Sequence, residues 1–240
     1  MTDRPTLGRR LFAEFLGTAL LLAAVVGSGI AAQRLSPGDA GLQLFENAAA
    51  TAAALAAIIF ALGPVSGAHL NPVVTLADRA FGGLDARSAF GYLAAQVTGA
   101  VSGVVLANLM FGLDAVQWST HVRSGGGLWL AEGVATFGLL LVIFGVVRSG
   151  RTEAAPFAVA GYIAGAYFFT ASTSFANPAV TIARIFSDTF AGIKPSSAPG
   201  FVIAQIAGAA VAVVAVRILY PGIEREARDV VVPHDGDDAS

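Results

Sequence analysis

Apolar side chains in this chain gather into long runs separated by short polar connections. Six runs are long enough to cross a bilayer, for which roughly 20 residues at 1.5 Å each are needed. They lie near 10–32, 46–63, 86–109, 128–148, 156–174 and 199–219. Two shorter segments, 71–81 and 177–187, begin with Asn-Pro and fit neither a full span nor a polar loop. As a helix, each reaches only about half of the ~30 Å hydrocarbon core. The pattern predicts an all-α membrane protein of six transmembrane helices and two half-helices.

The pattern also repeats. "LFAEFLGTALLL" at 11–22 returns as "LWLAEGVATFGLLL" at 128–141, which sets Glu14 over Glu132 and Thr18 over Thr136. "NPVVTLA" at 71 returns as "NPAVTIA" at 177, and "AAQVTGA" at 94 as "IAQIAGA" at 203. Each half holds three spans, an odd number, so the second copy must cross the membrane in the opposite sense. The result is an inverted repeat about a pseudo-two-fold axis in the membrane plane. One domain over 10–220 is expected, with repeats of about 10–112 and 125–220, between an N-terminal arm at 1–9 and a tail at 221–240.

Asn is a favoured N-cap and Pro is favoured at the first helical position, so each Asn-Pro reads as a helix start. Where the two starts meet near the midplane, the side-chain carbonyls of Asn71 and Asn177 cap backbone N–H groups. Their NH2 groups are then free to face a pore. Each half-helix points a positive dipole end, about half an elementary charge, at the same spot. A neutral solute oxygen can accept from the two amides there, whereas a cation or migrating proton is repelled. The preceding strips, 66–70 and 172–176, would be non-helical backbone at membrane depth, which is tolerated where it lines a water-filled cavity. Gly67, Ala68, His69 and Thr173 are the expected lining.

Composition agrees: 55% of residues are hydrophobic, only 12% are charged, and mean hydropathy is +0.71. Soluble domains carry about 25% charged residues. Cysteine is absent, which excludes disulfides, thiolate metal sites and cysteine nucleophiles. The start of the chain has a basic stretch before an apolar run, like a signal peptide, but Glu14 interrupts the run and the stretch recurs later. Of the fourteen basic residues, Arg4, Arg9, Arg10, Arg79, Arg87, Arg148, Arg151, Arg217, Arg225 and Arg228 fall on the side of the termini. Arg34, Arg123, Arg184 and Lys194 lie opposite. Both termini are therefore expected in the cytoplasm. The acidic tail "VVVPHDGDDAS" has the composition of a disordered segment.

These motifs resemble the aquaporin, or major intrinsic protein, family over about residues 10–220. "SGAHLNPVVT" and "STSFANPAVT" match its paired loops, and "AEFLGT" and "AEGVAT" its first and fourth helices. The resemblance implies a homotetramer in the bilayer with one pore per subunit. It also implies passive conduction of small neutral solutes, with no catalysis, cofactor or nucleic acid. The pore motifs are then Asn71, Pro72, Val73 and Asn177, Pro178, Ala179, and Val73, in place of the usual Ala, should narrow the midplane a little. Family channels usually place an arginine three residues after the second Asn; here that residue is Val180. The other constriction positions match Thr51, Gly165 and Ser174, although one loop insertion hands the helix 5 role to Ala164, Ala166 or Tyr167. Such a filter is wide and uncharged. It suits glycerol, urea and the undissociated hydroxides of arsenic and antimony, as well as methylated arsenicals. The outer motif resembles that of bacterial aquaglyceroporins associated with arsenic resistance, which implies an inner-membrane channel for arsenous acid, glycerol and water.

Several residues carry two readings. Arg184, one turn beyond Val180, either returns a guanidinium to the outer vestibule or is an interfacial arginine reaching headgroups or an outer-loop carbonyl. Glu14 and Glu132 are either a coupling-ion site, as in secondary transporters, or supports for the irregular loops. Gln96 and Gln205 tie helices to the same loops. His69 has only His121 and His234 as company, in a loop and a tail, so no metal cluster is expected. No nucleophile-elbow sequence supports an enzyme.

Overall fold

The computed structural model describes residues 5–223, and Arg4, Arg225, Arg228, His234 and the tail beyond 223 lie outside them. Among the described residues the chain forms α1 (Leu7–Leu35), α2 (Ala40–Ser66), α3 (Pro72–Ala80), α4 (Ala86–Met110), α5 (Gly126–Arg148), α6 (Ala155–Phe169), α7 (Pro178–Ala183) and α8 (Ala198–Leu219), with no strands.

The helix ends follow local chemistry. The Thr6 hydroxyl accepts from the Arg9 N–H at 3.4 Å to start α1, and Asp39 accepts from the Leu42 N–H at 2.9 Å to start α2. Asp85 starts α4 by accepting from the N–H and hydroxyl of Ser88, and these bonds hold its carboxyl below the usual carboxylate range. Helix α2 runs on through Pro64 and closes at Gly67, whose φ of 82° is open to glycine without steric cost. It therefore outlasts the expected 46–63 at both ends.

The third helix of each half belongs to no full span, and the two halves pack in parallel ways. Helix α1 lies against α2 and α4; its counterpart α5 lies against α6 and α8. Helix α2 meets α6, and each short helix, α3 and α7, is held between α4 and α8. Glycine permits the closest approaches. A Cβ at Gly99 would stand 2.3 Å from the Phe15 carbonyl oxygen, and one at Gly208 would stand 2.3 Å from that of Gly133. Gly99 and Gly208 follow Gln96 and Gln205 by three residues in the repeated stretch. With no hydrophobic force between helices in lipid, contact of this kind drives their association.

Five helices are long and apolar enough to cross a membrane: α1, α2, α4, α5 and α8. The span expected at 156–174 is shorter. Helix α6 has 15 residues, preceded by a 3-10 turn at Thr152–Ala154, and stops at Phe169, where Thr170 turns to extended backbone ahead of the left-handed Thr173, Ser174 and Ala176. The segment expected at 177–187 is α-helical only over Pro178–Ala183, and tightens to a 3-10 turn at Arg184–Phe186. The face where α1 begins and α8 ends also carries the end of α3: the Arg217 guanidinium donates to the Ala80 carbonyl at 2.8 Å. On the opposite face the α4–α5 connection docks on the segment after α7, through the N–H groups of Gln117 and Ser119 on the carbonyls of Phe186 and Ile185.

Candidate functional site

Two irregular loops meet inside the bundle, and each is fixed by one buried glutamate. Glu14, on α1 and fully buried, accepts from the Ser66 hydroxyl at 2.7 Å and from the N–H groups of His69 and Leu70 at 2.9 and 2.8 Å. Glu132, on α5, accepts from the N–H groups of Phe175 and Ala176, both at 2.9 Å. A glutamine bridges each carboxylate to a short helix. Gln96 donates to Glu14 at 2.8 Å and to the Thr75 hydroxyl at 2.9 Å; Gln205 donates to Glu132 at 2.6 Å and to the Thr181 hydroxyl at 2.8 Å. Ala68 and Leu70 in one loop, and Thr173, Ser174 and Ala176 in the other, have φ between 46° and 62°. Each left-handed residue costs on the order of 1 kcal/mol or more. The carboxylate bonds offset that cost.

The loops deliver Asn71 and Asn177 to one point. The Asn71 carbonyl oxygen caps the Val73 N–H at 3.1 Å, and that of Asn177 caps Ala179 at 2.9 Å and Val180 at 3.3 Å. The amide groups were expected to stand free. Instead each lends one N–H to the other loop: Asn71 donates to the Ala176 carbonyl and Asn177 to the Leu70 carbonyl, both at 2.8 Å. An NH2 carries two donors, so one N–H of each remains. The same exchange occupies one lone pair of each of the Leu70 and Ala176 carbonyls.

A cavity of about 470 Å³ passes this point. It is lined at one end by Asp78, Thr152 and Glu153, in the middle by Asn71 and Asn177, and at the other end by Thr51, Ser174, Val180 and Arg184. Gly67, Ala68 and His69 also line it, and the His69 Nδ1 pairs with the Thr75 hydroxyl at 3.0 Å. Thr173, expected beside them, does not; neither do Pro72, Pro178 or Ala179, which sit behind the asparagines in the short helices.

Two expectations are corrected by direction. Gly165 is exposed on the outer side of α6 with Phe168 and Phe169 and stays off the cavity. Tyr167, two residues on and so about 200° around the helix, is buried, lines the cavity, and donates its hydroxyl to Thr51 at 3.3 Å. Val73 is fully buried against Leu140, Ala209 and Ala212, away from the cavity, and so does not narrow it; Val74 is the lining residue.

Asp78 was missed by sequence reasoning, although a signal for it exists. It stands seven residues after Asn71, as Arg184 stands seven after Asn177, and a seven-residue step keeps one helical face. The inverted repeat thus sets an acid and a base at matching positions at opposite ends of one cavity. Both Asp78 carboxyl oxygens are buried and make no hydrogen bond to any described residue.

Comparison with known proteins agrees with this geometry. The family model described as Major intrinsic protein matches residues 1–166 and 150–239. The chain is 52% identical over 213 residues to Aquaglyceroporin AqpS of Rhizobium meliloti (strain 1021), covering 89% of this chain and 91% of that protein. It is 32% identical to Probable aquaporin AqpM of Archaeoglobus fulgidus, covering 86% and 95% of the two chains. Among solved structures, the aquaglyceroporin from Plasmodium falciparum superposes with a TM-score of 0.70 at 21% identity, over 92% of this chain and 100% of that one.

Proposed function

This chain belongs to the major intrinsic protein family, and on that premise we propose that it is a passive, multi-pass membrane channel of the aquaglyceroporin type. Water, glycerol and undissociated metalloid hydroxides, arsenous acid first among them, are its solutes. The observation that carries the reading is the cavity itself. Paired asparagine donors stand at its middle, and its constriction holds Val180, uncharged, where an arginine is usual in the family.

The mechanism follows from these parts. A neutral solute exchanges water for the remaining N–H of Asn71 and Asn177 and for free loop carbonyls, while the apolar wall opposite offers no competing bonds. A cation meets the positive ends of α3 and α7 at the same point. Thr51, Tyr167, Ser174 and Val180 set the width of the constriction. Val180 leaves room for a solute bulkier than water. Arsenous acid presents O–H groups in an array like that of a polyol, so a site that passes glycerol passes it on the same terms. The 52% identity to a protein named as an aquaglyceroporin supports the polyol class. The metalloid reading rests on the outer motif 172–184 and its resemblance to channels of arsenic resistance. Basic residues crowd the face where α1 begins and α8 ends, which favours cytoplasmic termini in a bacterial inner membrane. Exposed apolar residues such as Phe90 and Ile203 suit lipid and the neighbouring subunits of a homotetramer.

The test is stopped-flow flux of water, glycerol and arsenous acid through purified protein in vesicles without an ion gradient. All three should cross well above the rate of protein-free vesicles. Water flux without arsenous acid flux removes the metalloid reading; no flux of any solute removes the channel reading.

A further inference from the structure

The constriction lacks a charge at position 180, but a guanidinium stands one turn farther out. Arg184 follows Val180 by four residues, on the same face of the helix, is 2% exposed and lines the cavity. It is rigidly held. Its Nε donates to the Ala191 carbonyl, and its guanidinium carbon lies 3.5 Å from the centroid of Phe175, itself a lining residue. Its terminal amino groups donate to no described residue. Arg123, from the α4–α5 connection, approaches the same ring at 5.3 Å and is tied by its Nε to the Gly192 carbonyl at 2.8 Å and by its Nη2 to the Phe190 carbonyl at 3.0 Å. Two guanidiniums therefore share one aromatic ring. The nearby Glu132 spends its oxygens on the loop and Gln205, and among the described residues neither arginine forms an ion pair. A net positive charge is thus left at one mouth of a low-dielectric passage, where fields are focused rather than screened.

We propose that Arg184, reinforced by Arg123, is the charge-selecting residue of the outer mouth, rejecting cations and presenting donors to acceptor oxygens of the solute. The proposal rests on the channel reading above. It assigns width and charge to different side chains: Val180 sets the size limit, and Arg184 sets the sign of what is excluded. Stacking suits arginine for this task, because a planar guanidinium lies flat on a ring with its amino edge free, whereas an ammonium would keep its hydration and leave the ring.

The experiment compares the parent with Arg184→Gln and Arg184→Lys by K+ conductance in planar bilayers, at equal incorporated protein. Water flux above that of protein-free vesicles shows that each variant is folded. Arg184→Gln should raise K+ conductance on the order of ten- to thirty-fold, the factor for removing a unit charge about 8 Å from the ion path at an effective dielectric of about 20. Arg184→Lys keeps the charge but loses the stacked placement, so its K+ conductance should fall between those of the parent and Arg184→Gln; a Lys variant as leaky as Arg184→Gln or leakier overturns the assignment of the effect to charge. Unchanged K+ conductance in a water-conducting Arg184→Gln protein overturns the proposal. If both variants lose water flux, Arg123→Gln carries the test, since its loop is also held by Gln117 and Ser119. A rise of about tenfold is then expected, the factor for a unit charge about 12 Å from the ion path at the same dielectric, and no rise overturns the proposal. A parent that passes neither water nor glycerol overturns the channel reading instead.

Discussion

Replacing Glu132 by glutamine tests the central support of the site. The two carboxylate oxygens of Glu132 serve three donors: the Phe175 N–H, the Ala176 N–H and the Gln205 amide. Glutamine keeps the size but has a single acceptor oxygen, and its NH2 then faces one of the two backbone N–H groups. At least one buried donor is left unpaired, at about 1–3 kcal/mol, and the opposed donors add a similar cost. Ser174 and Ala176 lose the restraint that holds their left-handed backbone, so the loop that carries Asn177 should loosen. A loss of about 2–5 kcal/mol in stability is expected, together with water and glycerol fluxes reduced more than about tenfold. Glu14→Gln should be worse, because Glu14 has a fourth donor, the Ser66 hydroxyl. The assay pairs thermal unfolding of the detergent-solubilised protein with stopped-flow flux at equal incorporation. A Glu132→Gln protein with the parent's melting temperature and flux would falsify the support reading. One that folds normally but changes its response to an ion gradient would favour ion coupling.

Three further expectations concern packing and size. Gly208→Val places branched carbon where a Cβ alone already meets the Gly133 carbonyl oxygen at 2.3 Å, so α5 and α8 must separate; the melting temperature should fall by at least the equivalent of about 3 kcal/mol, and a melt equal to the parent's would refute the close approach. Val180→Arg should cut glycerol and arsenous acid flux by about tenfold or more while sparing water, the discrimination that a filled pocket affords; equal uptake of arsenous acid by mutant and parent refutes the role of Val180. Tyr167→Ala removes a wall of the constriction and one hydroxyl bond to Thr51, so glycerol flux should rise relative to water; the same change at Gly165, on the outer side of α6, should alter neither.

Much of this was legible in the sequence because the chain states it twice. Glu14 and Glu132, Gln96 and Gln205, and the two Asn-Pro starts each have a partner in the other repeat. Two loops, each with a glutamate and a glutamine at matching offsets, left little freedom in pairing them. Direction was harder to read. Whether Gly165 or Tyr167 faces the cavity depends on where α6 unwinds, and that point, Thr170 in extended backbone followed by three left-handed residues that are not glycine, leaves no mark in the sequence. Val73 was misplaced for a similar reason: a short helix held between α4 and α8 has two buried faces, and a valine suits either. The exchange between each asparagine and the opposite loop joins residues 105 and 107 positions apart, beyond any local pattern. Asp78 was readable, since it sits where the repeat puts Arg184, but a carboxyl near the end of a helix looks like an ordinary solvated charge.

That exchange also bears on how the molecule comes together. Each asparagine bonds to the opposite loop as well as capping its own short helix, so neither half can reach its final shape while the other is missing. During synthesis the first three spans must wait, with Leu70's carbonyl unanswered, until a partner emerges more than a hundred residues later. Two separate copies of a half-length ancestor could have answered one another in the same way, which makes gene duplication a small structural step for this architecture.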